Sequence, residues 1–132
     1  MKSLYIMGTP GSGKTVVALG LAQKLQQEGY TVGYFKPVSS RRKLPGNADM
    51  DSVLMKEVLG LKAPLERIAP VSASPFYLST QSLLKDAPVL IRDSFDEIAR
   101  DVDIILVDGA LSLDILGSCG LDCVTLAKTL GS

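Results

Sequence analysis

The chain has 132 residues, with 14 basic and 14 acidic side chains and so no formal net charge, a balance that disfavours a broad nucleic-acid or membrane-binding surface. A hydrophobic fraction of 46% against 21% charged residues is that of an ordinary globular core, and the length suits one domain. No apolar stretch approaches transmembrane length and the N-terminus carries no signal-peptide pattern, which together predict a cytoplasmic protein.

Leu4-Tyr5-Ile6-Met7 reads as a short buried strand, and it runs directly into Gly8-Thr9-Pro10-Gly11-Ser12-Gly13-Lys14-Thr15. This run fits the phosphate-binding-loop pattern G-x-x-x-x-G-K-[ST] in the strand–loop–helix setting that the chemistry requires. Glycines let the backbone wrap close enough for its N–H groups to face phosphate oxygens, and the positive end of the following helix adds to that field. Gly8 through Val16 are therefore the expected nucleotide-binding residues. Lys14 is expected to reach the β- and γ-phosphates, and the Thr15 hydroxyl to ligate Mg2+.

A helix is predicted from Lys14 to about Glu28, with Val17, Leu21 and Leu25 beside Ala18 and Ala22 on its packed face and Gly29 as its C-terminal cap. Thr31 to Phe35 reads as a second strand, ending in Lys36-Pro37-Val38-Ser39-Ser40. The basic, turn-rich stretch Arg41-Arg42-Lys43-Leu44-Pro45-Gly46-Asn47 reads as a solvated loop, with an anion-binding role as the alternative. Asp49 or Asp51 starts a helix that runs to Leu59, with Met50, Leu54 and Val58 on one face and Gly60 ending it.

Leu61 to Ser82 has little periodicity and three prolines (Pro64, Pro70 and Pro75), which predicts an irregular functional excursion across the active-site side. Pro88 is incompatible with a helix interior, so the next helix is placed from about Val89 to Arg100 with Ile91, Phe95, Ile98 and Ala99 inward. Val102 to Val107 is the clearest strand, apolar on both faces as a central parallel strand should be. Asp108-Gly109 ends it, the Walker B arrangement in which a carboxylate reaches Mg2+ directly or through water. Leu121 to Leu130 is the last predicted helix. Cys119 and Cys123, with no histidine in the chain, cannot complete a four-ligand zinc site and read as reduced thiols. No N-K-x-D guanine reader is present, which favours an adenine nucleotide.

Four segments together carry a family resemblance: G-T-P-G-S-G-K-T, then G-Y-T-V-G-Y-F-K-P-V-S-S, then D-x-D-S-V-L-M-K, then I-I-L-V-D-G-A. Over nearly its whole length the chain resembles the dethiobiotin synthetase family, and within it the ATP-binding domain at the N-terminus of some phosphotransacetylase-related proteins. The resemblance implies a three-layer α/β fold of the P-loop NTPase type, with a mainly parallel sheet. It implies that Lys36 is catalytic alongside Lys14, lying between the ATP phosphates and a carboxylated substrate. It also implies that an acid at the start of the third segment, Asp51 with Asp49 as the fallback, joins Thr15 and Asp108 at the magnesium site.

Asp108 stands where the resembled family usually has Glu, and Leu111 follows Ala110 where that family has Gly, which leaves the substrate open. Family members continue into further strands that hold the adenine, so the chain is expected to be a truncated or short form with an incomplete base pocket. The implied chemistry is ATP-dependent activation of a carboxylate or carbamate, in a homodimer. A nucleotide-sensing module without turnover and a small-molecule or nucleoside-monophosphate kinase are the alternatives.

Overall fold

The computed structural model describes residues 2–9, 11–40, 49–73, 85–109 and 120–132. Expectations resting on Pro10, residues 41–47, residues 74–82, residues 110–112 and Cys119 lie outside them. The main sheet has three parallel strands: β1 (Lys2–Ile6), β2 (Val32–Phe35) and, between them, β5 (Ile104–Asp108). Ile6 pairs with Asp108 on one side of β5, and Phe35 pairs with Val107 on the other. All three carboxyl ends therefore lie along one rim.

Ile105, Leu106, Val107 and Asp108 point alternately to the two sheet faces and all are buried. Both faces must be covered, and helices cover them. Helix α1 (Lys14–Gln27) crosses over from β1 to β2 and packs on the Leu106 and Asp108 face, with α2 (Met50–Leu59) beside it. On the opposite face, Ile98 of α4 (Ala87–Ala99) lies so close to Gly33 and Ile105 that a Cβ at Gly33 would meet it at 3.0 Å. Phe35 and Phe95 meet edge to face on this side, with centroids 5.6 Å apart, and α5 (Cys123–Leu130) packs against α4. The fold is α/β with a parallel sheet between helical layers, as expected for a P-loop NTPase.

Several local expectations needed correction. Part of the segment read as irregular is ordered secondary structure: Leu65–Ile68 forms a short helix, α3, and Val71–Ala73 forms a strand, β4. This β4 pairs in parallel with β3 (Val38–Ser40), a separate strand after the Lys36-Pro37 bend. Three-residue strands carry too little pattern to be seen in sequence, and prolines at their borders looked like breakers. Helix α4 begins at Ala87, before Pro88, because the missing proline N–H lies in the first turn where no intrahelical bond is lost.

The buried faces of two helices also differ from the expected ones. In α1 the fully buried residues are Ala18 and Ala22, whereas Leu21 and Leu25 are half-buried and Val17 is exposed. Small side chains let this helix lie close on the sheet, and the larger ones flank the seam. In α2 the buried residues are Ser52, Met55 and Leu59, while Met50, Leu54 and Val58 face outward. Asp51, Met55 and Leu59 recur every four residues, so turning Asp51 toward Thr15 carries the apolar pair inward and the competing stripe to the surface.

Candidate nucleotide site

The carboxyl rim of a parallel sheet is where an α/β protein gathers ligands, and each expected site segment leaves its strand there. Between β1 and α1 the loop turns through Gly11 and Gly13, with φ of 73° and 85°, conformations that cost a side-chain-bearing residue but not glycine. Ser12 N–H donates to the Thr9 carbonyl at 3.2 Å and closes the turn. Gly8 is pressed against the loop, where a Cβ would come within 2.7 Å of Ser12 Oγ.

The first turn of α1 is open, as is that of α4, whereas those of α2 and α5 are capped. Asp49 caps α2 through the Ser52 N–H, and Asp122 caps α5 through the Thr125 N–H. In contrast, α1 starts at Gly13 with no side-chain cap and no acid in its first turn. Its leading N–H groups, including those of Lys14, Thr15 and Val16, have no partner within the helix and face the loop, the arrangement an anion requires. The Lys14 ammonium lies over the same loop and donates to the carbonyls of Gly8 at 3.1 Å and Thr9 at 3.0 Å.

Beside the loop, side chains from three segments converge on Thr15. Its hydroxyl lies 2.8 Å from Asp108 Oδ2, at the end of β5, and 3.4 Å from Asp51 Oδ2, in the first turn of α2. Lys36, just past β2, ties the group together: its Nζ is 2.8 Å from Asp51 Oδ2 and 3.3 Å from Asp49 Oδ2. Burial by itself would depress the Lys36 pKa, but the hydrogen bond to Asp51 and the charges of Asp49, Asp51 and Asp108 outweigh it and hold the group above its ordinary value. Lys36 is thus a cation at working pH. Asp49 caps α2, whereas Asp51 reaches Thr15.

Two contributors were missed in the sequence. Tyr34 is 1% exposed, and its hydroxyl donates to Asp108 Oδ2 at 2.7 Å. Burial, then the charge of Asp108 and the hydrogen bond to it, push the phenol well above its ordinary pKa, so it remains a donor. No local pattern marks this pairing, because the partner comes from a strand 74 residues away. Gly109 is the second. A Cβ there would lie 2.8 Å from the Ile6 carbonyl oxygen and 3.1 Å from Cys123 Sγ, so no side chain fits where the chain leaves β5. The Tyr5 hydroxyl is buried in the same place beside Cys123, and burial followed by the neighbouring thiol and acids raises its pKa.

The donor set fits a hard divalent cation. Thr15 Oγ1, Asp108 Oδ2 and Asp51 Oδ2 are oxygen atoms within one hydrogen-bonded span. Among the described residues no group of three or more acids, cysteines or histidines is placed to hold a metal alone. Mg2+ takes one or two protein oxygens and completes its shell with phosphates and water. A cavity of about 650 Å³ lies elsewhere, at the amino ends of the strands between Gln26, Val32, Leu61, Pro64 and Ile98, and shares none of the loop residues.

Comparison with known proteins agrees with this geometry. A family model described as an AAA domain matches residues 2–130. The chain belongs to that family, which includes dethiobiotin synthetase. It is 28% identical over 122 residues to the ATP-dependent dethiobiotin synthetase BioD of Caldicellulosiruptor saccharolyticus, covering 87% of this chain and 50% of that protein. To BioD 2 of Escherichia coli K12 it is 30% identical over 115 residues, or 83% of this chain and 48% of that protein. The synthetase of Methanococcus vannielii is 28% identical over 142 residues, covering 95% and 64% respectively. The chain thus spans about half the length of the first curated relatives it matches. It is a dethiobiotin synthetase-like P-loop NTPase domain, and none of its described helices is long and apolar enough to cross a membrane.

Proposed function

We propose that the chain binds Mg-ATP at this rim and uses it to activate a small carboxylate or carbamate. The observation that carries the reading is the convergence of Thr15, Asp51, Asp108 and Lys36 beside an uncapped phosphate-loop helix. In this reading the amides of residues 8–16 and the Lys14 ammonium hold the β- and γ-phosphates. Thr15 and Asp108, with Asp51, hold Mg2+, which neutralises charge on the phosphates. Lys36 faces the γ-phosphate and the attacking oxygen.

A carboxylate or carbamate oxygen attacks the γ-phosphorus in line, ADP leaves, and a mixed phosphoric anhydride forms. An amine then attacks the activated carbon and inorganic phosphate departs. No covalent bond to the protein is required. The chain positions the reactants and supplies positive charge where the transition state spreads negative charge. A homodimer belongs to the same reading.

Two variants test the assignment. Lys14→Ala is expected to abolish ATP binding in a calorimetric titration with Mg2+. Lys36→Ala is expected to keep that binding and to lose amine-dependent ADP release. ATP binding by both variants at the parental affinity would sink the site assignment. A parent chain that binds ATP without any release of ADP supports a nucleotide-sensing module of the phosphotransacetylase-related type. Phosphate transfer to a hydroxyl or phosphate acceptor supports a kinase.

A further inference from the structure

We propose that Tyr34 is a positioning residue for Asp108, fixing the carboxylate on the metal side of the site through its Oδ2 atom. The inference rests on the magnesium reading given above and concerns a residue outside the loop and acid motifs.

Register explains how the two residues meet. Tyr34 pairs with Leu106, so Asp108 lies two residues further along the same face of the neighbouring strand, about 7 Å away along its axis. The phenol lies along that step, and its hydroxyl ends 2.7 Å from Asp108 Oδ2. Both residues are 1% exposed, so neither group is freely hydrated and each depends on partners within the protein. Tyr34 has no need of a hydroxyl for packing alone, because a phenylalanine ring would fill the same core volume. The buried hydroxyl is accounted for by its acceptor, which is the acid that also receives the Thr15 hydroxyl at 2.8 Å.

Two donors on one oxygen fix the rotation of the carboxylate. Among the described residues, the side-chain donor that remains without Tyr34 is Thr15, whose single proton is also 3.4 Å from Asp51. Asp108 would then lose, among the described residues, the side-chain partner that does not itself face the ligand. Groups that orient a metal ligand in this way typically carry about ten- to a hundredfold in metal affinity.

The test is Tyr34→Phe, with Mn2+ as the probe. Mn2+ binding to the ATP-loaded chain is followed by the loss of the free-ion paramagnetic resonance signal, and ATP binding in EDTA is followed by calorimetry. Y34F is expected to bind Mn2+ about tenfold more weakly and to bind ATP in EDTA as the parent does. In an Asp108→Asn background, Y34F is expected to add no further loss, because Tyr34 acts through that carboxylate.

Equal Mn2+ affinity in Y34F and parent overturns the proposal, as does an equal loss with and without metal, which marks a packing defect. If the parent itself binds ATP no more tightly with Mn2+ than in EDTA, the magnesium reading fails and this inference fails with it. Should Y34F not fold, the parent labelled with 3-fluorotyrosine carries the test. The Tyr34 fluorine resonance is expected to move when Mg2+ is added to the ATP-bound chain, and a stationary resonance overturns the proposal.

Discussion

Lys36 sits among acids because β2 ends one residue before it and α2 begins with two aspartates facing the same rim. Its side chain is 10% exposed and that of Asp49 is 7% exposed, so removing one partner strands the other in a poorly solvated place. Spacing and resemblance singled out the lysine, the threonine and the acids as candidates, since each lies in a motif with its own local signature. They could not identify Tyr34, whose partner is set by strand register, or say why position 109 must be glycine. The second point is testable. Gly109→Ala places a Cβ 2.8 Å from the Ile6 carbonyl oxygen, a backbone atom with little freedom to yield. The expected loss is about 1–3 kcal/mol of folding stability by urea denaturation, and a parental midpoint would show that the end of β5 relaxes freely.

Among the elements, the ends of α2 were more legible than its buried face. Asp49 and Gly60 bound α2, both among the expected ends, because capping chemistry is local and can be read from a few residues; α5, expected from Leu121, starts at Cys123 behind its cap Asp122. Faces depend on what the helix meets, so the apolar stripe of α2 was assigned to the core although Asp51 turns it outward. Asp122 offers a clean test because, among the described residues, it hydrogen-bonds to no part of the nucleotide site. Its hydrogen bonds from the Thr125 backbone and side chain hold its carboxyl below the usual aspartate range. A depressed folded-state pKa means that its contribution is present above the ordinary value of 3.8 and is lost as pH falls through the lower folded value. Asp122→Ala is expected to cost about 1 kcal/mol at neutral pH. In acid the gap between parent and variant is expected to close, and a constant gap would show that the carboxylate charge is not involved.

At the scale of the whole molecule, β5 is the element on which the site depends. It carries Asp108, pairs with both other strands of the sheet, and is covered by α1 on one face and α4 on the other. Leu106 is fully buried, on the face where Tyr34 and Asp108 also lie. Leu106→Ala is expected to cost about 2–5 kcal/mol in thermal or urea unfolding and to weaken nucleotide binding only in proportion to the unfolded fraction. A stable variant with selectively weakened binding would show instead that the Leu106 side chain shapes the site directly.

The sequence by itself determined the nucleotide loop, the central strand with its terminal acid, the ends of α2 and the family, because each is written in contiguous residues. Tertiary structure alone decided the β3–β4 pairing, the outward turn of the α2 stripe, the choice of Ala18 and Ala22 for the α1 seam, and the joining of Tyr34 to Asp108. These depend on contacts between residues far apart in the chain, where register and helix rotation are set by the competition of whole faces for the core.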